Sequence, residues 1–174
     1  DSTKTRLADL MKDIVQGKIK LPDFQRGWVW DDEHIRSLLT SIARAFPVGA
    51  VMLLENGGDA RFKVRPIEGI EPAKATPEKV EKLVLDGQQR LTSLTQVLML
   101  DRPVQTRDDK KREMKRYYYF DIEKALKGQE QYGDAIFGVD EDRKIRENFG
   151  RDIKLDLASP QQEYDNFCFP CNQI

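Results

Sequence analysis

The chain is poor in the residues that most often carry metal or redox chemistry. Its 174 residues include two cysteines, Cys168 and Cys171, and one histidine, His34. The cysteines are spaced C-x-x-C, but a structural zinc needs four ligands, and no second pair or further histidine completes the set. Buried apolar cysteines are therefore expected, and His34 is expected to be a solvated residue with no role. Long hydrophobic runs are also missing. Nothing approaches the roughly 20 apolar residues of a membrane span, and the N-terminus lacks the apolar core of a signal peptide. No membrane is expected as a partner, and the setting is expected to be soluble and intracellular. Charge of one sign is absent too: 29 Lys+Arg face 30 Asp+Glu, a net charge of −1. No global basic field draws nucleic acid, so any DNA contact has to come from a local patch. There is no internal repeat, low-complexity tract or heptad run.

What is present suffices for a core. Hydrophobic residues make up 39% of the chain and charged residues 34%, and a chain of this size buries roughly 70% of its unfolded surface. One domain over residues 1–160 is expected. The apolar ending at 167–174 and the lack of an initiator methionine lead us to expect a piece of a longer protein, with 161–174 opening a truncated following segment.

The chain is organised around residues 82–94. Lys82-Leu83-Val84-Leu85 reads as a short strand, and Leu91, Leu94 and Leu98 mark one face of a helix. Between them stand Asp86, Gly87, Gln88, Gln89 and Arg90. A strand running through glycine into a helix points backbone N–H groups and the positive end of the helix dipole at one spot. Arginine in that turn adds a forked cation suited to phosphate oxygens. The same residues also fit an ordinary capping box, with Asp86 as N-cap and Gln89 three residues on.

In chain order, Leu7, Leu10, Met11, Ile14 and Val15 predict an amphipathic helix closed by Gly17, and residues 18–22 predict a strand ended by Pro22. If residues 23–30 are extended, Phe24, Arg26, Trp28 and Trp30 share one face. That arrangement implies a buried arginine in need of an anionic partner. Asp31 and Asp32 cap a helix with the stripe Ile35, Leu38, Leu39, Ile42 and Phe46, stopped by Pro47. The runs 48–54 and 61–64 flank Asn56-Gly57-Gly58-Asp59, which predicts a hairpin. Residues 66–79, with three prolines, read as a loop. Residues 101–116 are highly charged and read as solvated helix or loop, with Lys110, Lys111, Arg112, Lys115 and Arg116 as a locally basic patch. Tyr117-Tyr118-Tyr119-Phe120 predicts a strand, and Asp121 to Leu126 a short helix. Residues 128–150 read as irregular, and Ile153, Leu155 and Leu157 as a weak late strand.

Taken together, residues 19–30 and 85–94, with Ser41-Ile42 and Pro47-Val48-Gly49 between them, resemble the N-terminal domain of GmrSD-type Type IV restriction enzymes, in the ParB/sulfiredoxin-like superfamily. Tyr118 to Asp121 and Cys168-Phe169-Pro170 add to the resemblance, which runs from about residue 6 to 171. It implies an α+β fold, a small mixed sheet flanked by helices. It also implies that the 86–90 turn binds and hydrolyses a nucleoside triphosphate (GTP, ATP or CTP) with Mg²⁺. On this chain Gln88, Gln89 and Arg90 take the catalytic roles. Asp86, Gly87, Arg90, Gln25, Arg26 and Thr92 bind nucleotide, and Asp86 also holds the metal through water. The implied partners are DNA, including modified phage DNA, and an HNH-type nuclease domain C-terminal to these residues or in a partner subunit. Homo-oligomerisation is compatible with the resemblance, and the setting it implies is the prokaryotic cytoplasm. Sulfiredoxins carry a reactive cysteine in this turn; this chain has none, which argues against sulfinic-acid reduction. A single histidine likewise argues against nuclease chemistry within these residues.

The expected function is therefore a nucleotide-binding, NTP-hydrolysing regulatory domain of a modification-dependent restriction protein acting in anti-phage defence. The alternative is a non-enzymatic DNA-recognition module. There Arg26, Trp28 and the 110–116 patch touch DNA, and the Gln–Arg turn grips a backbone phosphate.

Overall fold

The computed structural model describes residues 5–28, 30–57, 62–71 and 80–173. Gly58, Asp59 and Arg61 of the expected hairpin, Val29 of the aromatic stretch and 72–79 of the expected loop lie outside them. In chain order the elements are α1 (Leu7–Val15), β1 (Ile19–Pro22), α2 (Asp32–Ala43), β2 (Met52–Glu55), β3 (Val64–Arg65), β4 (Lys82–Asp86), α3 (Gln88–Met99), β5 (Val104–Arg107) and β6 (Glu113–Asp121). There follow α4 (Ile122–Ala125), α5 (Tyr132–Ala135), β7 (Ile136–Asp140), β8 (Lys144–Glu147), β9 (Asp152–Asp156), α6 (Pro160–Asp165) and β10 (Cys168–Pro170). The fold class is α+β.

Two compact units emerge, one of Asp1–Val29 with Gly49–Met99, the other of Trp30–Val48 with Leu100–Ile174. The first is built on a four-stranded sheet in the order β2-β4-β1-β3. Its centre is the parallel pair β1–β4, with Ile19 opposite Lys82 and Lys20 opposite Leu83. Successive residues Leu83 and Val84 are both fully buried, so both faces of β4 are covered there. α1 packs on α3, burying Met11 and Ile14 as the helical spacing predicts, and Gly17 closes α1 at φ +76°.

The hairpin expected from residues 48–54 and 61–64 does not form. β2 pairs antiparallel with β4, and β3 pairs antiparallel with β1, so the two runs occupy opposite edges of the sheet. Their side chains are mostly exposed, whereas β1 and β4 carry the fully buried Leu21, Leu83 and Val84. The strands with most apolar surface to hide take the centre, and local turn chemistry loses to that.

The second unit is organised on β6. β5 pairs with its first residues, β7 with its later half and β10 with its last three residues. Tyr119, Val139, Leu157 and Cys168 form a buried cluster there. Asp31 caps α2 as expected, accepting the His34 backbone N–H. α2 ends at Ala43 rather than at Pro47, because Ala45 turns to φ +56°, and Phe46 is left exposed. Three expectations are corrected in this unit. Residues 104–107 and 113–116, read as solvated helix or loop, are strands of one hairpin, with Val104 and Thr106 turned into the core. Residues 128–150, read as irregular, contain β7 and β8, whose apolar content (Ile136, Val139, Ile145) is sparse and interrupted by glycine and charge. Residues 161–173, assigned to a following segment, belong to this unit through α6 and β10.

Among the described residues no helix is long and apolar enough to cross a membrane. Cys168 and Cys171 are buried free thiols.

Candidate functional site

β4 ends at Asp86, and Gly87 makes the corner at φ +87°, a left-handed conformation that glycine adopts without Cβ strain. α3 begins at Gln88, and the Leu91 N–H donates to the Gly87 carbonyl at 3.0 Å. The capping box is therefore not the arrangement found. Asp86 is the last strand residue, and Gln89 reaches elsewhere.

That destination is the loop after β1. Gln88 Nε2 donates to the Arg26 carbonyl at 2.9 Å and Gln89 Nε2 to the Gly27 carbonyl at 3.0 Å. Gln25 Nε2 answers in the other direction, donating to the Leu85 carbonyl at 2.9 Å. Three glutamine amides thus lace the loop to the strand–turn–helix corner. Arg65 Nη2 adds bonds to the Gln25 and Arg26 carbonyls at 3.1 and 3.0 Å, and its Nη1 is held by Glu68 Oε1 at 2.9 Å. Glu68 Oε1 also accepts the Trp28 backbone N–H, while the Trp28 indole N–H donates to Ser93 Oγ at 2.9 Å. Ser93 in turn donates to the Gln89 carbonyl.

The extended aromatic stretch with a buried Arg26 is accordingly corrected. Residues 23–25 turn, and Phe24 and Arg26 are exposed. The backbone carbonyls are what this loop presents inward, because inward-facing carbonyls must find donors and the glutamines and Arg65 supply them.

Arg90 occupies a cradle of two glycines. Its Nη2 donates to the Ala50 carbonyl at 2.7 Å and lies 3.8 Å from Asp86 Oδ2. A Cβ on Gly49 would stand 1.9 Å from Arg90 Nη1, and one on Gly87 would stand 3.3 Å from Nη2 and 3.4 Å from the Ala50 carbonyl. The guanidinium is about one-quarter exposed, while the Asp86 carboxylate is about three-quarters exposed. Thr92 is enclosed in the second turn of α3, only 1% exposed. Of the expected nucleotide residues, the structure brings together Gln25, Arg26, Asp86, Gly87, Gln88, Gln89 and Arg90, and encloses Thr92 in the same helix. Sequence reasoning missed Arg65, Glu68 and Ser93, which have no motif and enter through the fold alone.

The expected DNA patch is arranged differently. Lys110 and Lys111 lie in the β5–β6 turn. Arg112 pairs with Asp108, Lys115 with Glu141 and Arg116 with Asp140, so three of the five cations already have acid partners. Among the described residues no group of three His, Cys, Asp or Glu side chains gathers to hold a metal ion. Asp86 alone can contribute one carboxylate oxygen, which suits a Mg²⁺ carried mainly by phosphates and water rather than one held in a protein cage.

Fold and corner define a class: a small α+β module in which adjacent parallel strands deliver a glycine turn and a glutamine-laced loop to one end of a sheet. Within that class the chain belongs to a particular family, the GmrSD restriction endonuclease N-terminal domain, matched over residues 7–168. It is similar to an uncharacterised protein of Methanocaldococcus jannaschii, 39% identical over 92 residues. That match covers 51% of this chain and 16% of the relative, so the chain spans a small part of that protein's length. No solved structure matches.

Proposed function

We propose that this chain is the nucleotide-binding regulatory module of a modification-dependent DNA restriction protein in anti-phage defence, taking a nucleoside triphosphate with Mg²⁺ at the 86–90 turn and hydrolysing it. One observation carries the reading: Arg90 and the Gly87 corner sit at the C-terminal end of two adjacent parallel strands, where open α/β sheets bind ligands. The α3 N-terminus supplies oriented amides and a positive dipole for phosphate, and Arg90 supplies the forked cation. Asp86 stands beside Arg90 for the water shell of Mg²⁺. Gln88 and Gln89 act first as positioning residues, since their amide nitrogens hold the loop carbonyls. Hydrolysis then needs one of them, or a water they order, to face the terminal phosphate.

Family membership supports a restriction setting, with DNA as the partner and an HNH-type nuclease domain outside these residues, in the prokaryotic cytoplasm. The ParB/sulfiredoxin-like superfamily fits the same corner chemistry. The alternative of a non-enzymatic DNA-reading module is weakened by the acid partners of Arg112, Lys115 and Arg116.

Calorimetric titration with ATP, GTP, CTP and UTP plus Mg²⁺, on the chain and on Arg90→Ala, tests the proposal. Micromolar binding of one or more triphosphates, weakened at least tenfold in Arg90→Ala with the fold intact, is expected. Absence of triphosphate binding, beside DNA binding that falls steeply with salt, would transfer the site to the DNA-reading alternative.

A further inference from the structure

The first unit exposes an aromatic pair that neither its core nor the turn uses. Phe24 is 69% exposed and Phe62 is 42% exposed, yet their rings meet edge to face with centroids 6.0 Å apart. Two large apolar rings packed on each other in solvent keep much of the unfavourable hydration that burial would remove.

Their backbone is fixed, so this is a built surface. The Asp23 N–H donates to the Lys63 carbonyl at 2.8 Å, and Pro22 lies opposite Val64 in the β1–β3 ladder. On the other side of Phe24, the carbonyls of Gln25, Arg26 and Gly27 are held by Arg65, Gln88 and Gln89.

Hydrogen bonds bring the pair to the phosphate corner. Residues 22–25 make a turn, the Gln25 N–H donating to the Pro22 carbonyl at 3.1 Å, and Phe24 is carried on it. Gln25 Nε2 ties that turn to the Leu85 carbonyl at 2.9 Å, one residue before Asp86. The Arg26 carbonyl accepts from Gln88, the residue after Gly87, at 2.9 Å. Arg26 is exposed and without an acid partner among the described residues. Shelf, cation and corner thus share one end of the sheet.

We infer that Phe24 and Phe62 form the shelf on which the base of the bound nucleotide stacks, with Arg26 along the sugar–phosphate between shelf and turn. The ligand class is a planar heteroaromatic base joined to a polyphosphate. Stacking on an aromatic face tolerates any base, because every base has a π-face, so this shelf adds affinity without choosing the nucleotide. The inference rests on the nucleotide reading of the 86–90 turn.

The test separates base from phosphate. The chain, Phe24→Ala, Phe24→Trp and Arg90→Ala are each titrated with ATP and with inorganic tripolyphosphate, both with Mg²⁺. We expect Phe24→Ala to weaken ATP by roughly tenfold and leave tripolyphosphate unchanged. Phe24→Trp should restore ATP, and Arg90→Ala should weaken both ligands. Unchanged ATP affinity in Phe24→Ala, while Arg90→Ala still loses both ligands, would overturn the shelf and keep the turn. An equal loss of ATP and tripolyphosphate in Phe24→Ala would make the residue structural and overturn the shelf as well. No binding of either ligand by the unsubstituted chain would overturn the nucleotide reading and the shelf together. A short single-stranded oligonucleotide completes the set: its loss in Phe24→Ala with ATP unaffected would give the shelf to a DNA base and overturn the assignment made here.

Discussion

At the scale of single residues, two glycines and one arginine set the geometry of the corner. Gly49 adopts φ +90° and leaves the space that Arg90 Nη1 fills. An alanine there pays the left-handed backbone penalty of about 1–2 kcal/mol and pushes the guanidinium out of its cradle. Because the obstructing atom is the far end of a flexible side chain, Arg90 can move and the fold survives. Gly49→Ala is therefore expected to cost about 1–2 kcal/mol in urea denaturation while weakening triphosphate binding nearly as much as Arg90→Ala does. Full affinity in Gly49→Ala would show that Arg90 reaches its ligand from elsewhere. The strand–glycine–helix corner at Gly87 and Arg90 was legible in the sequence, because strand, glycine and helix signals are contiguous there. It did not reveal the partner glycine 41 positions before Arg90, nor the conversion of Gln88 and Gln89 into carbonyl holders. Both depend on which distant backbone the fold delivers, and neither is written in local spacing. Arg26 departs from the expectation for a related reason. Side chains alternate along a strand, whereas this segment is a loop that turns its carbonyls and the Trp28 indole toward α3 and leaves Phe24 and Arg26 exposed.

At the scale of elements, β6 was legible and its neighbours were not. Four successive aromatic residues announced the strand, but β7 and β8 carry too few apolar residues to stand out and take their order from pairing with β6 and β9. β6 also carries two buried phenols of the second unit. Tyr118 and Tyr119 are successive, so they point to opposite faces, and both are buried. The Tyr118 hydroxyl donates to Asp32 at 3.1 Å, and that of Tyr119 to Glu163 at 2.7 Å. Burial first, and then the facing carboxylate, raises both phenols well above the ordinary tyrosine range. Burial also pushes the Cys168 thiol, on β10 beside β6, up to about 11, and that of Cys171 up to about 12. These groups bind their protons more tightly folded than unfolded. Their contribution to stability is therefore complete below the unfolded thiol value, about 8.5, and is lost as pH rises through the folded values. The urea midpoint is expected to hold steady through pH 8 and to fall progressively between about pH 9 and 12. A midpoint unchanged to pH 11 would mean that these groups are not enclosed as described.

At the scale of the whole molecule, the chain passes between the two units at 29/30, 48/49 and 99/100. Each passage is attached, on the first unit's side, to α3. Before the first, the Arg26 and Gly27 carbonyls are held by Gln88 and Gln89, and the Trp28 indole by Ser93. After the second, the Ala50 carbonyl is held by Arg90. The third is the end of α3 itself, at Met99. The helix that opens at the candidate phosphate corner is thus the element through which the first unit grips every segment leading out of it. A ligand that draws Arg90 or the glutamines toward itself acts on those grips directly, which gives the regulatory module proposed above a physical route for its signal. Trypsin cleavage after Arg26 reads the first grip. In the unsubstituted chain the Arg26 carbonyl has two donors, Gln88 and Arg65. Removing one of two donors to a carbonyl costs roughly 0.5–1.5 kcal/mol, or about two- to tenfold in the population of the opened loop. Gln88→Ala is accordingly expected to speed cleavage after Arg26 by about two- to tenfold under native conditions, with the global unfolding midpoint moving much less. Gln88→Glu, which sets a carboxylate against the carbonyl, should speed it further. An unchanged rate in both variants would mean that Arg65 alone holds the loop, and the route from the corner to the first passage would then run through Glu68 and β3 rather than through α3.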